Sequence, residues 1–210
     1  MPVNMVCGSW KARLRLSPLG MARAGVVQSS PHRGALMFVP ATDADVPRIV
    51  ALMNRAYRGA GGATSWTTEQ AWIAGDRTTD TFLREDIAAS PSATMLKWVE
   101  VDDPTPRGCV WLEPVGHGTW YLGSLCVDPD QQNAGQGRNL LAAAEAWARE
   151  RGASRVRMTV VNVRDTLIAW YRRRGYAPTG EIEPFPYGND RVGTPLRGDL
   201  AFVVLEKPLP

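Results

Sequence analysis

The passage Leu125-Cys126-Val127-Asp128-Pro129-Asp130-Gln131-Gln132-Asn133-Ala134-Gly135-Gln136-Gly137-Arg138 constrains this chain more than any other. A stretch rich in aromatic and branched residues runs into it, two glycines one residue apart close it, and an amphipathic helical pattern starts at once. Glycine lets backbone approach a ligand, and the N–H groups of a first helical turn have no partner inside the helix. A strand, loop and helix joined this way hold a pyrophosphate on main-chain amides without needing a lysine. A Walker loop would require G-x-x-x-x-G-K-[ST], and no lysine stands here. A dinucleotide fingerprint would require a small residue three places after the second glycine, where Leu140 stands. The spacing that fits is Q-x-x-G-x-G, from Gln132 to Gly137. By itself this pattern also suits a glycine loop that binds nothing, so its setting decides.

Regular patterning begins near Ala35. Leu36-Met37-Phe38-Val39 reads as a short strand ended by Pro40, and Thr42 caps a helix with Val46, Ile49, Val50, Met53 and Tyr57 on one face. A loop, Gly59-Ala60-Gly61-Gly62-Ala63-Thr64-Ser65, precedes a second helical region over 67–89 broken near Gly75. Residues 94–101, 108–114 and 119–127 are rich in β-branched and aromatic residues and read as three antiparallel strands in a meander. A helix over 138–151, a strand around Val156, Met158 and Val160, a helix over 165–174 and a last strand over 200–205 complete the order. Three arginines and Gly175 close the fourth helix, matching its dipole and its C-cap. The fold class is mixed α/β: a central, mostly antiparallel sheet flanked by helices, with a strand-to-helix crossover in the second half.

Charge places a boundary. Residues 1–42 hold no acid but five of the 24 basic residues (Lys11, Arg13, Arg15, Arg23, Arg33), so the remainder sets 19 bases against all 21 acids. That remainder is not a basic nucleic-acid binder. Residues 1–34 are read as a basic extension and 35–210 as one domain; the head could be an upstream extension, a flexible arm or a transit segment. No apolar run reaches the roughly 20 residues that cross a bilayer, so no membrane partner is expected. Cys7, Cys109 and Cys126, with two histidines, lack metal-ligand spacing, so no metal is expected and a reducing, cytoplasmic setting fits.

About 35 residues after the loop comes Ala169-Trp170-Tyr171-Arg172-Arg173-Arg174-Gly175-Tyr176. With the Val127-Asp128-Pro129 approach and the Q-x-x-G-x-G loop, this segment resembles the GNAT acetyltransferase superfamily. That family has a Q/R-x-x-G-x-G/A loop and a downstream helix ending in L-Y-x-x-x-G-F or a close variant. The resemblance implies a sheet with a splayed slot for acetyl-CoA. It places the cofactor on Leu125, Cys126, Val127, Gln132, Asn133, Ala134, Gly135, Gln136, Gly137 and Arg138. Where the family often has an asparagine near the start of the downstream helix, this chain has Arg164, with Asn162 nearby; both are candidate cofactor contacts.

The resemblance also implies direct attack of a free amine on the thioester, with strand N–H groups near Leu125 aimed at the developing oxyanion. Tyr171 is the candidate general acid by its motif position. Some family members carry a base on the strand before the loop, but Trp120-Tyr121-Leu122-Gly123-Ser124 offers no carboxylate, which leaves Glu113 and Tyr121 as candidates. Tyr57, Trp66, Glu183 and Tyr187 are candidates for the acceptor cleft, where aromatic walls and carboxylates suit an amine. The expected partner is a small-molecule amine; a homodimer is an allowed assembly. A CoA-binding sensor without turnover, and an enzyme acting on proteins or peptides, are the competing readings. Deleting residues 1–34 is expected to leave solubility and acetyl-CoA binding intact, and an insoluble product would show that the head belongs to the fold.

Overall fold

The structure is a computed structural model that describes residues 36–62, 65, 67–131 and 135–210. The basic head, Trp66 and the loop residues Gln132, Asn133 and Ala134 lie outside the described residues. Strand β1 (Leu36–Pro40) leads to a short turn in which the Asp45 carboxylate accepts from the Thr42 backbone and hydroxyl, both at 2.8 Å, and from Lys97 Nζ at 2.6 Å. Helix α1 (Val46–Arg58) follows and buries Val46, Ile49, Val50 and Met53 along one face. It stops at Gly59, whose φ of 64° lets its N–H return to the Arg55 carbonyl at 3.1 Å.

The expected second helical region is only half helix. Residues 67–79 are turns and a two-residue strand, β2 (Ile73–Ala74), and helix α2 covers Asp80–Ala89. The backbone of the first half is used elsewhere: Glu69 N–H donates to the Tyr57 carbonyl at 2.7 Å, and Leu196 N–H donates to the Trp72 carbonyl at 2.8 Å. Thr79 then caps α2 by accepting from Phe82 N–H at 3.2 Å.

The meander appears as expected in β3 (Thr94–Glu100), β4 (Asp103–Gly116) and β5 (Thr119–Val127), with β4 longer at both ends. Helix α3 (Gln136–Arg149) begins two residues earlier than the patterning indicates. Then come β6 (Arg155–Val161), α4 (Asp165–Arg172), β7 (Ala177–Pro184), β8 (Thr194–Pro195) and β9 (Ala201–Pro208). Strand β7 has no legible period because it is an exposed edge strand containing Pro178 and Gly180, with its pairing to β9 interrupted between Pro178 and Ile182.

Seven strands form one sheet in the order β1-β3-β4-β5-β6-β9-β7, with β2 and β8 paired apart from it. Every neighbouring pair in the large sheet is antiparallel except β5 with β6. Alternation along the strands sends Leu96, Val110, Leu112 and Leu122 toward α3 and α4, where they meet Leu141, Ala144 and Tyr171. It sends Met95, Cys109, Trp111, Tyr121 and Cys126 to the opposite face, against α1 and α2. The sheet is therefore covered on both faces, and whatever joins the two sides must pass through it.

Asn54 ties the chain between β2 and α2 to α1. Its side chain donates to the Thr78 carbonyl at 3.0 Å and accepts from the Arg77 and Thr78 amides at 2.6 and 3.3 Å. Asn54→Ala is expected to cost about 1–3 kcal/mol, because it strips partners from buried main-chain groups. Urea unfolding reads this directly; an unchanged midpoint would show that the loop is held by something else.

Candidate active site

The two parallel strands at the centre of the sheet stay together only briefly. β5 pairs with β6 from Thr119 to Tyr121, opposite Arg155 to Arg157, and no further pairing is made toward Val127. On its other side β5 carries a bulge, since Cys109 faces Cys126 whereas Trp111 faces Gly123. Ser124 lies in the bulge at φ 50°, a conformation few side-chain-bearing residues adopt. The Tyr57 hydroxyl donates to the Leu125 carbonyl at 2.9 Å and holds the bulge from the α1 side.

Two cavities occupy the opening. One, of about 390 Å³, lies between the end of β5 and the facing ends of α3 and α4. Leu125, Cys126, Val127, Gly135, Gln136, Gly137 and Arg138 all line it, so the described part of the predicted cofactor loop converges on one space. The other, of about 190 Å³, lies on the α1 side and is lined by Arg58, Arg77, Tyr121, Glu183 and Phe185 among others. Tyr57, Leu125, Leu167 and Tyr171 line both.

The larger cavity fits an anion. Gly135 caps α3 at φ 76°, and its carbonyl accepts from the Arg138 and Asn139 amides at 3.0 and 3.2 Å, so the donors that a helix start leaves for a ligand are those of Gln136 and Gly137. Arg138, Arg173 and Arg174 line the same space. Burial, and then the neighbouring charges of Arg173 and Arg138, push the Arg174 guanidinium below its ordinary value. No carboxylate is among the described residues lining this space, so the three cations form a charge set that a phosphate would complete. Arg174 is also held flat on Trp170, 3.6 Å from the ring centre, and donates to the Trp170 carbonyl at 2.7 Å. Sequence reasoning missed Trp170, Arg173 and Arg174 as lining residues, although the three-arginine helix end was visible.

The remaining candidates divide. Tyr171 is buried where the cavities meet; burial raises its phenol well above the ordinary value, against the opposing charges of Arg164 and Arg174. Tyr121 lines the smaller cavity, with its hydroxyl 3.1 Å from that of Thr159. Glu183 lines it too, and burial raises its carboxyl despite Arg157 Nη2 at 3.4 Å; among the described residues its Oε2 has no hydrogen-bond partner.

Glu113 is buried, accepts from Trp111 Nε1 at 3.2 Å, and is not among the described residues lining either cavity. Asn162 spends its amide on the Asp199 carbonyl and the Ala201 N–H, pinning β6 to β9 rather than facing the larger cavity. Arg164 is buried against Glu69 at 3.1 Å and also stands off that cavity. The Tyr187 hydroxyl binds the Arg197 carbonyl and the Leu200 N–H; its ring packs behind Phe185, which reaches the smaller cavity in its place. Arg77 had no signal in the sequence, because long-range contacts, the Asn54 tether and the pairing of β2 with β8, bring its loop to the site.

A family model described as the acetyltransferase (GNAT) family matches residues 63–176, over half of the chain. The protein belongs to the GNAT acetyltransferase family. GNAT enzymes use acetyl-CoA. Solved structures agree in fold. A GNAT-family acetyltransferase from Staphylococcus aureus superposes with a TM-score of 0.58 at 12% identity, covering 84% of this chain and 100% of its own. A second N-acetyltransferase from that organism gives 0.58 at 15% identity, covering 84% and 99%. The PaiA N-acetyltransferase from Thermoplasma acidophilum, in complex with coenzyme A, gives 0.55 at 16% identity, covering 83% and 99%. No curated protein matches the chain in sequence. No helix among the described residues is long and apolar enough to cross a membrane.

Gly135→Val is expected to weaken acetyl-CoA binding at least about tenfold, because a branched residue at this φ distorts the start of α3. Gly137→Ala should be mild, since its Cβ would meet Trp170 at an ordinary 3.6 Å. Calorimetric titration with acetyl-CoA distinguishes the two; equal, undiminished affinities would remove the loop from the cofactor site.

Proposed function

We propose that this GNAT enzyme transfers the acetyl group of acetyl-CoA to the primary amine of a small molecule, by direct attack while both substrates are bound. The observation that carries this reading is the meeting of two cavities, from opposite faces of the sheet, at Tyr57, Leu125, Leu167 and Tyr171. A thioester reaching in along α3 and an amine reaching in from the α1 side would meet beside the β5 bulge. The modest volume of the acceptor side favours a small molecule.

The residues at the junction divide the work. Beyond Tyr121 β5 makes no further strand pair with β6 among the described residues, so main-chain N–H groups near Leu125 serve as fixed donors to the developing oxyanion. Glu183 takes the proton released by the attacking amine; its raised pKa makes it a stronger base than an exposed glutamate. Tyr121, linked to Thr159, is the polar group along that route. Tyr171 donates a hydrogen bond to the departing thiolate. Because burial raises its pKa, the phenol holds its proton throughout the neutral range, so the donor is always present.

Tyr171→Phe is expected to lower kcat by about 10²-fold with acetyl-CoA affinity preserved. Glu183→Gln should lower kcat and abolish the acidic limb of the pH–rate profile. That limb reports a carboxyl titrating above the ordinary glutamate value, so activity is lost as pH falls through it. Thiol release from acetyl-CoA measures both, and full turnover in either variant would remove that residue from its role.

A further inference from the structure

The walls of the acceptor cavity are charged in an uneven way. At the α1 end, the Glu69 carboxylate lies between two buried guanidiniums, Arg58 Nη1 at 2.6 Å and Arg164 Nη1 at 3.1 Å. Arg58 spends its Nη2 on the Val192 carbonyl at 3.1 Å. Arg58 Nε and Arg164 Nη2 have no hydrogen-bond partner among the described residues. Arg77, on the same wall, lies 5.4 Å from the centre of the Tyr57 ring and pairs with no carboxylate among the described residues. Arg58 thus shares Glu69 with Arg164, which stands behind the wall, and Arg77 lines the cavity without a carboxylate of its own.

At the β7 end the balance reverses. Arg157 serves Glu181 at 2.7 Å, Glu183 at 3.4 Å and Glu206 at 3.2 Å, and Arg155 reaches Glu206 only at 3.8 Å. The cavity is therefore positive where α1 and the chain before α2 meet, and negative at Glu183. Burying surplus charge is costly unless a counter-charge arrives. Burial lowers the Arg58 guanidinium below its ordinary value despite the Glu69 carboxylate beside it, and the charge of Arg77 adds to the lowering.

We infer that the acceptor is an ampholyte of amino-acid type, its amine directed to Glu183 and an anionic group, carboxylate or phosphonate, held by Arg77 with Arg58. The inference rests on the transfer reading above. A polyamine or other purely cationic acceptor would leave the arginine end uncompensated and would be repelled from it. An anion there supplies the charge that Glu69 cannot, and guanidiniums recognise carboxylate and phosphorus oxyanions in paired hydrogen bonds. Arg77 is the recognition residue to test. Arg58 is locked into its ion pair, and replacing it would strand a buried carboxylate.

The test uses matched pairs that differ only in the anion: L-alanine with ethylamine, L-methionine with 3-(methylthio)propylamine, and L-phenylalanine with 2-phenylethylamine. 1-Aminoethylphosphonate is set beside L-alanine. With acetyl-CoA saturating, the anionic member of a pair should give a kcat/KM at least about tenfold higher, the scale of loss when a site's charged group goes unanswered. The alanine and phosphonate arms identify which anion is preferred. In Arg77→Met the preference should collapse through KM, with kcat and acetyl-CoA affinity kept. Equal or better rates for the plain amines, or an undiminished preference in Arg77→Met, overturn the inference. Calorimetric titration of the same compounds into the CoA-saturated protein separates the two claims. Selective binding of the anionic members without thiol release would sink the transfer reading and leave the ampholyte site standing. Equal binding within every pair, or none by any compound, would sink the site.

Discussion

Three residue pairs between two parallel strands decide what this molecule can do. Where Thr119 to Tyr121 lie against Arg155 to Arg157, the sheet is continuous; beyond them β5 and β6 part. A sheet with helices on both faces gives no other passage between its sides. The parting is stabilised from each flank: the bulge at Ser124 bends β5 away, Tyr57 ties the bulge to α1 through the Leu125 carbonyl, and β6 is drawn toward β9 by seven consecutive pairs and by Asn162. Unpaired backbone inside a sheet is costly unless a ligand or water meets it, so the opening is suited to hold one.

A second layer of organisation is electrostatic. The Arg58–Glu69–Arg164 cluster joins the end of α1, the turn after it and the residue that precedes α4. Buried ion pairs add little net stability, but breaking one leaves a charge without a partner, so such a cluster enforces geometry. Its geometric consequence is functional. α4 carries Tyr171, and α1 carries Tyr57, so the cluster sets two of the four residues shared by the cavities relative to each other. Arg58 and Arg77 line the smaller cavity beside Glu69, and Glu183 lines it from β7. On the other side of the sheet, Arg138, Arg173 and Arg174 build a separate positive field at the start of α3. The two cavities thus receive their charge from different elements.

Local rules carried the reading of the chain a long way where neighbours in sequence are also neighbours in space. The α1 face and the glycine pair before α3 depend on contacts within a few residues, the meander on strands that follow one another directly, and all were legible. The reading failed where long-range pairing took over. Residues 67–79 have helical content but give their backbone to Tyr57 and Leu196, and β7 takes its strand form from β9 although its own pattern lacks a period. Glu113 was a natural base candidate on a strand beside the loop, yet the pleat places it by Trp111. Glu183 was marked only as an acceptor contact, because its raised pKa arises from burial that no spacing displays.

The sequence by itself determined the family and the motifs that mark it, the glycine pair before α3 and the tyrosine on α4, because each is a short motif of adjacent residues. Tertiary structure alone decided which carboxylates and arginines line the smaller cavity and how far β5 and β6 part. Those properties come from β7, from the loop holding Arg77 and from α1, segments brought together across more than a hundred residues of chain. Their charges act through space, and only the folded arrangement specifies that space.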